Sequence, residues 1–274
     1  AGKSTMIKML TGILTPTNGM IQINGIEPYK KRKENAYNMG VVFGQRSQLW
    51  WDIPVKDTLE LYKEMYKIPD KCYRDNIEIF YEVLGIGEFV SQAVRQLSLG
   101  QRMRADLACA MLHNPKILYL DEPTIGLDVV AKSKIRDFIK NINENKKTTV
   151  MLTTHDMTDI EKLCDRVLVL DHGKLMYDGQ FGKVKEIYCT DAVMEIQCKE
   201  ELDDEMEMNL TGVKKIRHIG SQIYVSFNQN EISPLSIIDE LRTKKEIVDF
   251  RLHEADIESI IQKMYSSMNQ KNRK

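Results

Sequence analysis

The chain has no run approaching the roughly 20 consecutive apolar residues that cross a bilayer as a helix, so any membrane role has to come through another chain. It has no charge bias either. Lys+Arg 39 against Asp+Glu 40 leaves a formal net charge of −1, which gives no electrostatic reason to bind nucleic acid. Five cysteines, Cys72, Cys109, Cys164, Cys189 and Cys198, include no C-x-x-C pair. An odd, scattered set reads as reduced thiols in a cytosol-like compartment rather than as a disulfide framework or a zinc site. Tryptophan is scarce, two residues side by side at Trp50 and Trp51. Low-complexity linkers and internal repeats are missing, while 274 residues leave room for two domains.

What is present concentrates in one short stretch. Leu97-Ser98-Leu99-Gly100-Gln101 is followed by Ile117-Leu118-Tyr119-Leu120 and then Asp121-Glu122-Pro123. The apolar run without alternation predicts a strand covered on both faces in a parallel sheet. Ligands of open α/β sheets bind at the carboxyl ends of such strands, which puts Asp121 and Glu122 at the candidate site. Neighbouring strand residues point in opposite directions, so the two carboxylates suit different tasks. Asp121 suits Mg²⁺, directly or through water, and Glu122 suits orienting and deprotonating an attacking water. Ser98 is also a candidate helix N-cap, with Arg102 and Arg104 expected on a solvated helix face.

Gly2-Lys3-Ser4-Thr5 matches the end of the P-loop pattern G-x-x-x-x-G-K-[ST], and Met6, Ile7, Met9, Leu10 and Ile13 recur behind it at helical spacing. Free backbone N–H groups at a helix start form an anion site, to which Lys3 adds a charge for the β/γ-phosphates and Ser4 a hydroxyl for Mg²⁺. The chain enters that pattern in mid-loop and without an initiating Met, so it is expected to be a piece of a longer protein. Met39-Gly40-Val41-Val42-Phe43 and Thr148 to Thr154 read as two more strands, the second rich in β-branched residues and ending at His155. Leu59, Leu61, Tyr62, Met65 and Tyr66, then Ile77 to Leu84, carry helical spacing, broken at Gly85-Ile86-Gly87.

In this order the motifs resemble those of ATP-binding-cassette (ABC) ATPases, over residues 1 to about 182. The resemblance implies a P-loop NTPase (RecA-like) α/β fold with a helical subdomain at about 50–110. It implies that Gly2, Lys3, Ser4 and Thr5 bind ATP and that Ser4, Gln45 and Asp121 hold Mg²⁺. Gln45 corresponds to the family's Q-loop glutamine, although Gly44 stands where an aromatic residue or proline is usual, and Gln48 is a weaker alternative. Glu122 and His155 take the catalytic roles, His155 as the switch that senses the γ-phosphate. Ser98, Gly100 and Gln101 correspond to the signature that reaches the nucleotide of the opposite protomer; Leu99 replaces the more frequent glycine. Asp128, in Gly126-Leu127-Asp128, corresponds to the D-loop.

The partners so implied are a second nucleotide-binding domain, identical or paralogous, and an integral membrane permease touching the Trp50/Trp51 region; nucleic acid is not among them. The location implied is cytoplasmic, peripheral on the inner face of the plasma membrane. A drug- or antibiotic-exporter type (ABC-2) is the nearest resemblance. ABC ATPases of DNA repair carry a long coiled coil between Gln45 and the signature, for which the interval here is too short. Translation-type members usually carry two cassettes, and one is visible; a purely regulatory subunit is disfavoured by Glu122 and His155.

Beyond residue 182 the motifs stop. Met194, Ile196 and Cys198, then Ile223, Val225 and Phe227, then Val248, Phe250 and Leu252 alternate as half-buried strands. Leu235, Ile238 and Leu241 share a helical face, and Ile257, Ile260, Ile261, Met264, Tyr265 and Met268 form a longer stripe behind a candidate N-cap, Asp256. A small α/β accessory domain over 190–268 is expected, with a basic tail at 269–274. Because the phosphate cradle is entered in mid-loop, a chain extended upstream is expected to bind ATP more tightly than residues 1–274; equal affinities by titration calorimetry would refute this.

Overall fold

A computed structural model describes residues 2–44, 47–188, 191–199 and 210–254. Gln45, the stripe from Ile257 to Met268 with Asp256, and the tail at 269–274 lie outside them.

The first elements are α1 (Lys3–Leu10), α2 (Arg32–Asn38) and β1 (Met39–Phe43). Helices α3 (Val55–Tyr66), α4 (Asp70–Val83) and α5 (Leu99–Met111) follow, then β2 (Ile117–Asp121), α6 (Val129–Lys146), β3 (Thr149–Thr153) and α7 (Met157–Leu163). The three strands make a parallel sheet in the order β1-β2-β3, with Phe43, Asp121 and Thr153 in register at one end. β2 is central, and Leu118, Tyr119 and Leu120 are all buried, as the unalternating run predicts.

Gly40 lets α5 lie against β1: a Cβ there would stand 2.4 Å from the Ala110 carbonyl oxygen. The main core runs from β1 and β2 into α3 to α6, with Phe80 and Phe138 edge to face at its centre. Helix α5 is buried nearly all round, which overturns the solvated face expected for Arg104. Arg104 is 8% exposed, donates to the Leu84 carbonyl at 2.6 Å and lies over the Phe89 ring. A guanidinium caps the end of α4 here instead of meeting water. Ile13 lies beyond α1 and is exposed.

β4 (Arg166–Asp171) and β5 (Lys174–Gln180) form a two-stranded sheet closed by His172 and Gly173, both at positive φ, the geometry of a tight hairpin turn. α8 (Phe181–Tyr188) follows. The chain divides into two compact units, 1–164 with 170–175, and 165–169 with 176–274. The base of the hairpin is counted with the second unit, where Arg166 and Asp178 pair and Phe181 N–H donates to the Asp165 carbonyl.

The second unit also holds β6 (Asp191–Cys198), β7 (Val213–Ile219), β8 (Gln222–Asn228), α9 (Pro234–Arg242) and β9 (Ile247–Glu254). The strands form an antiparallel sheet in the order β7-β8-β6-β9. Met194, Ile196, Ile223, Val225 and Phe227 pack under Ile237, Ile238 and Leu241 of α9. Leu235, expected on that face, is exposed; positions three and four residues before Leu241 share its face, and six before does not. Val248, Phe250 and Leu252 are likewise exposed, because β9 is an edge strand of the sheet.

One carboxyl is set deep in the first unit. Burial pushes Asp106 up to about 6, partly offset by hydrogen bonds from the Gln48 N–H and the Ser47 hydroxyl and by the charge of Arg102. A folded-state value above the unfolded one means that ionisation opposes folding, so this group's contribution weakens as pH rises from about 4 to about 6. Asp106→Asn is expected to abolish that slope, on the order of 2 kcal/mol, in urea unfolding at pH 4.5 against pH 7; an unchanged slope would refute it.

Candidate nucleotide site

All the described candidate residues of the chain's own site gather at the carboxyl ends of β2 and β3 and the start of α1. Gly2 precedes α1 with φ 97°, a left-handed turn that glycine adopts freely, and leaves the first N–H groups of the helix pointing outward. The Ser4 hydroxyl donates to Asp121 Oδ1 at 3.1 Å, and Thr153 Oγ1 donates to the same oxygen at 2.5 Å. Lys3 Nζ lies 3.8 Å from Glu122 Oε1 and 3.5 Å from the Thr154 carbonyl. Thr5 is exposed on the first turn of α1.

Glu122 sits at φ 56°, a backbone region that costs a residue with a side chain roughly 1–3 kcal/mol. Its N–H donates to the Thr153 carbonyl at 3.0 Å, and its carboxylate meets His155 Nδ1 at 2.7 Å. Glu122 thus follows Asp121 through a backbone reversal, and the two carboxylates meet different partners, Ser4 and Thr153 on Asp121, Lys3 and His155 on Glu122. Gly44 explains itself in the same place. Its N–H donates to the Asp121 carbonyl at 2.8 Å, and a Cβ on it would stand 2.5 Å from the Glu122 carbonyl oxygen. No side chain fits where the chain leaves β1.

Gln48 is committed elsewhere: its amide donates to the Val41 carbonyl and accepts from the Tyr62 hydroxyl.

The signature residues form a second group. Ser98 caps α5: its hydroxyl accepts from Gln101 N–H at 3.2 Å and the Gln101 amide oxygen accepts from Ser98 N–H at 2.8 Å, a reciprocal capping box. Asp128 caps α6 by accepting from Ala131 N–H at 2.8 Å. Gly100 packs so closely on Ala131 that a Cβ would come within 2.9 Å of its Cβ.

Sequence reading missed Asp159, which is fully buried. It accepts from Arg136 Nε at 2.6 Å, from the Thr124 hydroxyl at 2.5 Å and from the Thr154 hydroxyl at 3.2 Å. Asp156 beside it accepts from Lys132 Nζ at 2.6 Å, and that ammonium holds its carboxyl below the usual range. The turns after β2 and β3, carrying Glu122 and His155, are thus pinned to α6. Only the four-residue offset from His155 marks Asp159 in the sequence: Thr154 is a near neighbour, but Arg136 and Thr124 lie 23 and 35 positions away.

A helix start with a lysine, a hydroxyl against a carboxylate, and a second carboxylate against a histidine, all at the ends of parallel strands, define a P-loop nucleotide-hydrolysing domain. The family described as "ABC transporter" matches residues 1–125. The ABC transporter ATP-binding protein NatA of Bacillus subtilis is 30% identical over 186 residues, 68% of this chain and 75% of NatA. The methionine import ATP-binding protein MetN 2 of Enterococcus faecalis is 32% identical over 184 residues, 66% of this chain and 53% of MetN 2. Among solved structures, the dimeric post-hydrolysis ATP-binding cassette MJ0796 with ADP and Pi aligns with a TM-score of 0.58 and 26% identity, over 65% of this chain and 80% of that one. The chain belongs to the ATP-binding subunits of ABC transporters and has their ATPase fold.

Breaking the pinning should be costly. Asp159→Ala leaves the Arg136 guanidinium, 11% exposed, short of its closest partner and is expected to destabilise the first unit by about 3 kcal/mol in urea unfolding. Asp52→Ala, which removes the exposed pair with Arg95, is expected to cost less than about 1 kcal/mol. Equal costs would refute the assignment.

Proposed function

We propose that this subunit hydrolyses ATP with Glu122 as the acceptor of the attacking water's proton, between two nucleotide-binding domains, and so powers export through separate membrane subunits. The observation that carries the reading is the Glu122–His155 contact at 2.7 Å, with Lys3 at 3.8 Å on the other carboxylate oxygen. The N–H groups at the start of α1 and the Lys3 ammonium receive the β- and γ-phosphates. Ser4 and Asp121, hard oxygen donors 3.1 Å apart, fit Mg²⁺, with Gln45 as a further ligand. Mg²⁺ held there would neutralise charge on the phosphates. Glu122, oriented by His155, takes the proton; His155 is exposed enough to reach the γ-phosphate.

Ser98, Gly100 and Gln101 serve the nucleotide of the partner domain, and Asp128 faces the same boundary. A domain of residues 1–182 carries this chemistry, and the α/β unit that follows is similar in placement to the accessory domain of exporter-type ABC ATPases, which supports the outward direction. Trp50 and Trp51, 54% and 51% exposed, are the proposed contact with the permease and would hold the subunit on the inner face of the plasma membrane.

Glu122→Gln keeps the size of the side chain and removes the basic oxygen. Phosphate release by the complete transporter is expected to fall about 10²–10⁴-fold with ATP binding retained. Normal turnover would show that Glu122 is not the base.

A further inference from the structure

The segment that follows β1 is fastened to α5, and the fastening takes no part in the chemistry above. Asp106 Oδ1 accepts the backbone N–H of Gln48 at 2.9 Å, and the Ser47 hydroxyl donates to the same carboxylate. Four residues earlier on α5, the Arg102 guanidinium stands 4.6 Å from the centre of the Trp51 ring. Helix residues four apart share a face, so both contacts fall on one stripe. Gln48 is also held from β1, through its amide to Val41, Leu49 is buried in the core, and a cleft of about 330 Å³ lined by Gln48, Tyr62, Tyr66, Cys109 and His113 lies beside the segment.

Asp106 is only 6% exposed. A carboxylate so deep is costly unless its oxygens are satisfied, and a leucine or alanine on a buried helix would carry no such cost. Ser98, the cap of the same helix, lies eight residues away, about 12 Å along a rigid rod. Gln45 is not needed for this link.

We propose that Asp106 and Arg102 are positioning residues: they clasp residues 47–51, so that a membrane subunit pressing on the tryptophans moves α5 directly and with it the Ser98–Gly100 turn. The proposal rests on the reading of Trp50 and Trp51 as the permease contact.

The test uses the full subunit with the membrane subunit that co-purifies with it. Asp106→Ala is expected to keep the co-purification, the ATPase rate of the detached subunit and the KM for ATP. It is expected to lower the permease-stimulated kcat by at least about fivefold, the size of a modest coupling energy. Asp106→Asn, which keeps an acceptor for Gln48, is expected to restore most of the stimulation. If Asp106→Ala fails to fold, Ser47→Ala has to lower the stimulated kcat in the same direction. Full stimulation of these variants, or an equal loss in the detached subunit, overturns the clasp. Trp50→Ala/Trp51→Ala separates the two readings: retained co-purification defeats the docking reading, whereas lost co-purification beside a normally stimulated Asp106→Ala defeats the clasp alone.

Discussion

Parallel pairing of β2 with a strand on each side is the constraint on which the site depends. It brings Phe43, Asp121 and Thr153 to one level, so the chain leaving three strands must pass through one small volume. Crowding then dictates the local solutions: Gly44 where no Cβ fits, Glu122 in a left-handed turn, and Thr153 donating to Asp121. Each carboxylate also has its own partners, the Ser4 and Thr153 hydroxyls for Asp121 and His155 with Lys3 for Glu122.

A second layer of fixation comes from α6. Through Arg136 and Lys132 it reaches Asp159 and Asp156, and through Asp128 its own first turn is capped. Glu122 and His155 therefore keep their mutual distance because both turns answer to one helix. A buried ion pair contributes little net stability, and here Arg136–Asp159 adds a tie between turns that the Glu122 N–H to Thr153 bond already joins.

Patterns confined to a few neighbouring residues were legible in the sequence. The unalternating run of β2, the serine and glutamine of the capping box, and the Gly-Lys-Ser start of α1 each declare their structure within five positions. Contacts between distant segments were not. Arg104 looks like half of a solvated arginine pair until α4 ends against it. Asp106 and Gln48 are 58 positions apart, and nothing local marks either. Gly44 looked like a departure from a family spelling, and its reason is the Glu122 carbonyl 78 positions on. In the second unit, alternation identified β9 but could not say that it lies at an edge, which is what exposes Phe250 and Leu252.

The contact of Gly100 with Ala131 is reinforced by Leu99, whose side chain would meet a Cβ on Gly126 at 3.3 Å. The starts of α5 and α6 are therefore welded along a seam of small residues. Two loops that are read separately in the sequence present one facet of fixed curvature. A domain packed there would meet that facet as a single shape, whose curvature is set by how closely two helix ends approach within this chain.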